Sequence, residues 1–399
     1  MVRSLTRAGI IYALVATSPL FALDGGSDPR PGSVLIFPAV EIKWREIANS
    51  PRMPYAVAMD TIVQIDNDGP GPVNLHMFYV NGDPPTVGEP GWNRRECRVS
   101  LNGGQTLRFS AALGNAVCEP FANLDPGVPP GRLEREPKLQ GTRMLRGYIM
   151  VWAENEIGRE IRWNYLSGQA TLVHYEAATA ANYNAYSFAA CPSDAHECAD
   201  GEETDDAPGR IALNGVEYSS VDKALTFSFF GSGVSWSPHA ATSIVHDFEI
   251  TLMPVSNDLR ASAGEPMAAV MRYEVSNENG DRFSGPQRCV HGWNQTYSTR
   301  FPDVLDPFAF ASYSLGTDTG RAWVSSASTE WCVGSRPFAI AGVVAELTVY
   351  SNARTGKGFA TDARTLQGTE PASALIRFDF PGGPTRIDPP DEFGPDAVE

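Results

Sequence analysis

The chain has 399 residues; 20% are charged, 42% hydrophobic and 10% aromatic, and Gly and Pro number 37 and 31. That apolar content excludes a disordered chain and is enough for about two domains with their own cores, and no collagen triplet or sustained heptad runs through it. With 31 Lys and Arg against 47 Asp and Glu, a formal charge of −16 and no basic patch, a phosphate backbone is repelled, so no nucleic acid is expected as partner.

Residues 1–22 contain no acid, and Arg3 and Arg7 precede an apolar stretch from Ala8 to Ala22. That is too short for a comfortable membrane span and reads as a secretory signal peptide. No later stretch is apolar enough to span a membrane, so none is expected once the signal is removed. The expectation is secretion, or residence in the periplasm or cell envelope. Residues 23–32 form a short linker.

Strand signals dominate the rest of the chain. Ser33–Trp44 is β-branched and aromatic but interrupted by Pro38, which suits an edge strand or a bulge. Thr61–Asp66 alternates, ends in the turn sequence DNDGPG, and with Val73–Val80 predicts a hairpin. Gly147–Ala153 is apolar on both faces and predicts a central, doubly covered strand. Glu176–Asn182 (EAATAAN) is the one stretch that reads as helical. In the second half Leu225, Phe227 and Phe229 share one face, and so do His246, Phe248, Ile250 and Leu252. Many short alternating strands with Gly/Pro turns mean an all-β architecture. The expected fold is two antiparallel immunoglobulin-like β-sandwich domains, residues 33–190 and 210–380. An acidic linker, 191–209, separates them, and an acidic, Pro-rich tail covers 381–399. Short repeats (GWN at 91–93 and 292–294, NGD at 81–83 and 279–281) raise the question of duplication.

Six cysteines in an exported chain read as three disulfides. Nearest-neighbour pairing gives Cys97–Cys118, Cys191–Cys198 and Cys289–Cys332, which staple both domains and close a small loop in the linker.

The run DTIVQIDND, then NLHMFYVNGD, then LRGYIMVWAENEIGREIRWNYLSGQATLV, after an early SVLIFP strand, resembles a group of uncharacterised exported bacterial β-rich proteins. The matching segments are Asp60–Asn67, Arg146–Ala153 and Asn164–Thr171. The resemblance covers the first half and implies no activity and no site residues.

Motifs for chemistry are sparse. The sequence has no GxSxG, HExxH, P-loop or GxGxxG, and every cysteine is expected in a disulfide. Trp92 and Trp293, in the GWN loops, are candidate platforms for stacking a sugar ring or a protein partner; the bland alternative has each covering its neighbouring disulfide. Asp66, Asp68 and Asp281 lie in oxygen-rich turns that could offer ligands to Ca²⁺, the one cofactor considered, although such turns are ordinarily just turns. The leading expectation is an exported non-catalytic structural or interaction protein, not an enzyme, with an unknown protein or glycan partner. The alternative is a carbohydrate- or calcium-dependent binding module. A carboxylate-dependent hydrolase ranks third and would need a concave cleft with two facing acids.

Overall fold

The computed structural model describes residues 30–47, 55–85, 91–114, 132–133, 142–192, 199–204, 207–230, 234–237, 242–260, 267–297, 319–327, 329–335, 338–352 and 356–379. The expected signal peptide, Cys118, Cys198 and the acidic tail lie outside them.

Every regular element among the described residues is a strand. The first half contributes β1 (Val34–Glu46), β2 (Tyr55–Asn67), β3 (Val73–Asn81), β4 (Arg94–Leu101), β5 (Gln105–Ser110), β6 (Arg132–Leu133), β7 (Thr142–Glu154), β8 (Leu166–His174), β9 (Thr179–Asn184) and β10 (Tyr186–Phe188). They form one antiparallel sheet in the order β4-β3-β7-β1-β2-β8-β9, with β10 on β1, β5 on β2 and β6 on β7. After β11 (Arg210–Leu213) come β12 (Val221–Phe230), β13 (Val234–Ser237), β14 (Thr242–Pro254), β15 (Asn257–Asp258), β16 (Ala268–Asn277), β17 (Arg282–His291), β18 (Asn294–Tyr297) and β19 (Thr319–Ala327). The last four are β20 (Ile340–Asn352), β21 (Gly356–Thr365), β22 (Gln367–Ala372) and β23 (Ala374–Arg377). The second sheet runs β13-β14-β20-β12-β19-β16-β17, with β18 on β14, β21 on β20 and β22 on β12. A small sheet, β11-β23-β15, contains a parallel pair, β15 with β23.

The all-β, antiparallel class is the one the alternation predicts. Leu225, Phe227, Phe229, Phe248, Ile250 and Leu252 are all buried in one cluster of the second half. β7 is central and buried, between β1 and β3. Two local expectations are corrected, and one is met in its second form. β1 is central rather than an edge strand, and Pro38 falls at the bulge allowed as the alternative, a register shift between Phe37 and Val40. Pro has no N–H to give the ladder, and the irregularity removes that demand. β2 and β3 do not form a hairpin: β1 and β7 stand between them in the sheet. The turn between them is closed by the Asn67 amide, which donates to Gly71 O (2.9 Å), and is held from outside by Trp163 Nε1, which donates to Asn67 Oδ1 (2.9 Å). EAATAAN forms a turn and the start of β9, with Ala178 at φ 52°.

The two large sheets share a pairing scheme. β1 pairs with β2, β7 and β10; β12 and β13 together pair with β14, β19 and β22, and β12 adds one pair with β20, Asp222 opposite Ile340, that β1 lacks. β2 takes β5 and β8 as β14 takes β18 and β20. β3 takes β4 and β7 as β16 takes β17 and β19, and β8–β9 matches β20–β21. Apart from that pair, the two halves repeat one pairing topology. Both NGD segments follow equivalent strands, β3 and β16. The GWN segments do not correspond: one precedes β4, the other joins β17 to β18.

Each sheet curls on itself. One face of β1, β2, β3, β5, β7 and β8 fills a single core that includes Leu35, Phe37, Val63, Leu75, Phe109 and Leu172. The opposite face of the first sheet is not wet. Ile36, Phe78, Trp152 and Phe188 pack there with Leu213, Tyr218, Trp293 and Phe378 of the second half. Cross-half hydrogen bonds complete this seam. The Tyr186 hydroxyl meets Leu366 O (2.8 Å) and Gly342 O and N (3.0 and 3.1 Å), and Trp293 Nε1 donates to Pro38 O (2.9 Å). The segment after Cys191 is pinned to the first half: Asp200 accepts from the Tyr165 hydroxyl (2.6 Å), and Glu203 is paired with Arg159.

Candidate functional site

The two GWN tryptophans, distant in sequence and inequivalent in the duplication, meet at one pocket. Its near wall is the loop from β3 to β4. Asn81 closes that loop: its N donates to Asn93 O (2.9 Å), its side-chain amide to Asn93 Oδ1 (2.8 Å), and its Oδ1 accepts from Asp83 N (3.1 Å). Trp92 N donates to Asp83 O (3.0 Å). Gly91 lies so close to the Asp83–Pro85 backbone that a Cβ would come within 2.2–2.4 Å of it, so no other residue fits. The turn leaves Trp92 at φ 48°, a left-handed conformation that a bulky side chain rarely adopts. Arg146 of β7 clamps the loop base, with Nη2 2.8 Å from Asp83 Oδ1.

The far wall is edge strand β17. Arg288, Cys289, Val290 and His291 line it, and the whole pocket encloses about 370 Å³. Cys289 is bonded to Cys332 (Cα–Cα 5.6 Å), as the nearest-neighbour pairing expects, and this ties the strand to the loop after β19. Cys97, on the equivalent edge strand β4, and Cys191 are also disulfide-bonded. The Trp92 and His291 rings lie 6.1 Å apart at 31°. Trp92 is half-buried, and its Nε1 is a buried donor without a hydrogen-bond partner among the described residues. Trp293 plays a different part. It is buried beneath Gly82, where an added Cβ would meet its side chain at 2.5–2.9 Å, and it forms the pocket wall rather than an exposed platform. The lining therefore offers an aromatic face, an indole donor, two guanidinium groups, an imidazole and one carboxylate already paired. In a chain of −16 formal charge this is a locally cationic, hydrogen-bonding recess. Such groups recognise and orient a polar ligand.

The calcium candidates stay apart. Asp66 accepts from Gln64 Nε2 (3.0 Å) and the Thr106 hydroxyl; Asp68 accepts from Ser167 (3.3 Å). Asp281 sits in the β16–β17 turn of the other sheet, bonded to Asn277 (3.0 Å). Among the described residues no group of three or more His, Cys, Asp and Glu side chains is arranged to hold a metal ion.

A second cavity, of about 310 Å³, opens between the halves. Glu41 of β1 and Glu249 of β14 both line it. The signal for Glu41 was present, as a carboxylate inside the apolar run VLIFPAVEIKW; its partner across the halves was not legible from local pattern. A third feature is structural: His76, fully buried, has Nε2 2.9 Å from Glu96 and Nδ1 3.2 Å from buried Glu154, while Arg98 joins both carboxylates (2.7 and 2.9 Å). That bond from His76, with Arg98 beside it, holds the Glu96 carboxyl below its usual range.

No protein-family model matches the chain, and no curated protein matches it. Among solved structures, the CfaE adhesive subunit of the CFA/I fimbria of enterotoxigenic Escherichia coli aligns over 76% of this chain and 77% of its own, at 8% identity and a TM-score of 0.11. The CupB6 tip adhesin of Pseudomonas aeruginosa aligns over 85% of this chain and 93% of its own, at 9% identity and the same TM-score of 0.11. At that score neither alignment establishes a shared fold.

Proposed function

We propose that the chain is an exported, non-catalytic interaction protein that binds a glycan in the Trp92 pocket. The observation that carries this reading is Trp92 itself: an indole held in a left-handed conformation, half-buried, with an unpartnered donor, facing cationic groups contributed by both halves. Backbone strain at a bulky residue is retained where the surroundings over-determine it, and such residues concentrate at binding sites. Sugars suit the lining because a pyranose has an apolar face for the ring and hydroxyls for the donors. The disulfide fits an oxidising compartment outside the cytoplasm.

Thermal unfolding of the oxidised chain against a panel of cell-wall and plant oligosaccharides, with millimolar Ca²⁺ or with chelator, tests the proposal. A ligand of the folded state stabilises by about 2.7 kcal/mol at a hundredfold excess over Kd. One glycan class should raise the transition, and Trp92→Ala should abolish the rise. A panel without effect, or a rise that survives Trp92→Ala, defeats the reading. Dependence on Ca²⁺ would identify the calcium-assisted form of it.

A further inference from the structure

A smaller recess, of about 30 Å³, adjoins the Trp92 pocket. Gly82 and Trp92 line both, so the indole is their shared wall. Arg94, Tyr148, Asn257 and Asp258 supply the polar groups of the smaller one.

Those groups divide into two sets. The acceptors are engaged: Asn257 Oδ1 accepts from the Tyr148 hydroxyl (2.8 Å), and Asp258 accepts from Arg260 Nε (2.9 Å) and Nη2 (2.6 Å). The groups left over are donors. Among the described residues the Arg94 guanidinium makes no hydrogen bond or ion pair, and Asp258 and Asp379 act on it through charge alone. Burial holds its pKa below the ordinary arginine value, with those two carboxylates opposing, and it stays charged at neutral pH. Trp92 Nε1, two residues earlier, is likewise a donor without a partner. Neither side chain can accept a hydrogen bond. A guanidinium drawn out of water without an acceptor is costly to hold, and a ligand that supplies one removes that cost.

We propose that this recess receives the carbonyl oxygen of an acetamido group, so that the sugar held at Trp92 is an N-acetylated amino sugar; this rests on the glycan reading of the larger pocket. The sugar ring lies against Trp92 and extends its acetamido substituent past the shared wall. A carbonyl oxygen has two lone pairs and no proton, which matches a site whose free groups are all donors. A hydroxyl in its place also has a proton to give, and the acceptors beside it are taken. Asp258 in the same lining sets a carboxylate at a disadvantage against a neutral carbonyl. The volume limits the rest: about 30 Å³ has room for about two waters, hence for one short substituent and not a second ring.

Titration calorimetry of the oxidised chain at neutral pH tests this with N-acetylglucosamine, N-acetylgalactosamine, glucose, galactose and N-acetyl-trialanine. One acetamido sugar should bind at least about tenfold more tightly than its parent hexose, the worth of one hydrogen bond to a charged donor, and the two epimers distinguish which hexosamine supplies the unit. Arg94→Met should erase that preference while the parent hexose keeps its affinity within about twofold. Trp92→Ala should abolish binding of both. The comparison among ligands needs no variant, so it decides the matter even if Arg94→Met does not fold by circular dichroism. Equal affinity for acetamido sugar and parent, both lost in Trp92→Ala, overturns this inference and leaves the glycan reading standing. No affinity for either acetamido sugar overturns it as well, while the oligosaccharide panel judges the glycan reading separately. Tighter binding of N-acetyl-trialanine than of either amino sugar would assign the recess to a peptide carbonyl and overturn the proposal.

Discussion

Asp222 shows how a single buried carboxyl shapes the stability of this chain. It lies in β12, is 6% exposed, and sits against Gly368, where an added Cβ would overlap its carboxylate at 1.6–2.4 Å. Burial pushes its pKa from 3.8 up to about 6. The folded chain therefore holds this proton more tightly than the unfolded one. Its contribution is favourable at low pH and is lost as pH rises from about 4 to about 6; above that the charged form strains the fold by a constant amount. At about 1.4 kcal/mol per pH unit, the cost at neutral pH is of order 1–3 kcal/mol. Asp222→Asn should raise the unfolding free energy read from denaturant titration at pH 7.5 by that amount and change it little at pH 3.5; equal effects at both values would show that the substitution acts through packing instead. No sequence pattern marks Asp222, because its environment comes from β22, far along the chain. Trp92 and Trp293 were legible as candidates through their shared GWN, but not their meeting, which needs the loop before β4 and the segment after β17 in one place.

Strand identity was readable wherever one face is buried and the other wet, as along β12 and β14, because period-two alternation is what such a strand requires. It failed where local chemistry competes with the sheet. EAATAAN has helix-favouring alanines, yet it closes β8 onto β9 through Ala178, since two strands of a core sheet must be joined within a few residues. DNDGPG marks a turn correctly and its partner wrongly: the chain leaves the sheet's order there to place β3 beside β7. Close backbone approach is equally non-local. Gly147 of β7 lies where a Cβ would come 1.8 Å from Val80 O and 2.9 Å from Gly82 N. The strand cannot yield without moving β3 and the base of the Trp92 loop together. Gly147→Ala should destabilise by about 2–4 kcal/mol, at the high end for a point substitution. It should also weaken any glycan bound at Trp92, which a remote destabilising change of equal size would not do. Chemical denaturation paired with ligand titration makes the distinction.

At the scale of the molecule, the repeated pairing scheme and the acidic segment between the halves suggest two units that fold alone, although the core of the first half already takes in Val343 and Ala363 of the second. The seam argues otherwise. Trp152 is fully buried, stacks with Phe78, and meets Phe378 of β23's C-terminal continuation at 4.5 Å between ring centroids. Phe378 is 2% exposed, and its neighbours Ile36 and Phe188 are fully buried. Separated, the first half would present these rings to water. Burial of each large apolar side chain is worth about 1.5–3 kcal/mol, and a domain's whole stability is about 5–15 kcal/mol, so the seam outweighs what either half can hold in reserve. The full chain should therefore unfold in one cooperative transition, and residues 30–209 alone should bind a hydrophobic dye and lack a sharp melt. Phe378→Ala tests the same point within the intact chain. Removing that ring should lower the single transition by about 3–5 kcal/mol as a whole. If it shifts one of two resolved transitions and spares the other, the halves are autonomous and the acidic segment is the linker its composition suggests. If one transition moves intact, the shared core makes the halves a single folding unit, and the pocket and the cavity lined by both halves are as rigid as the core beneath them.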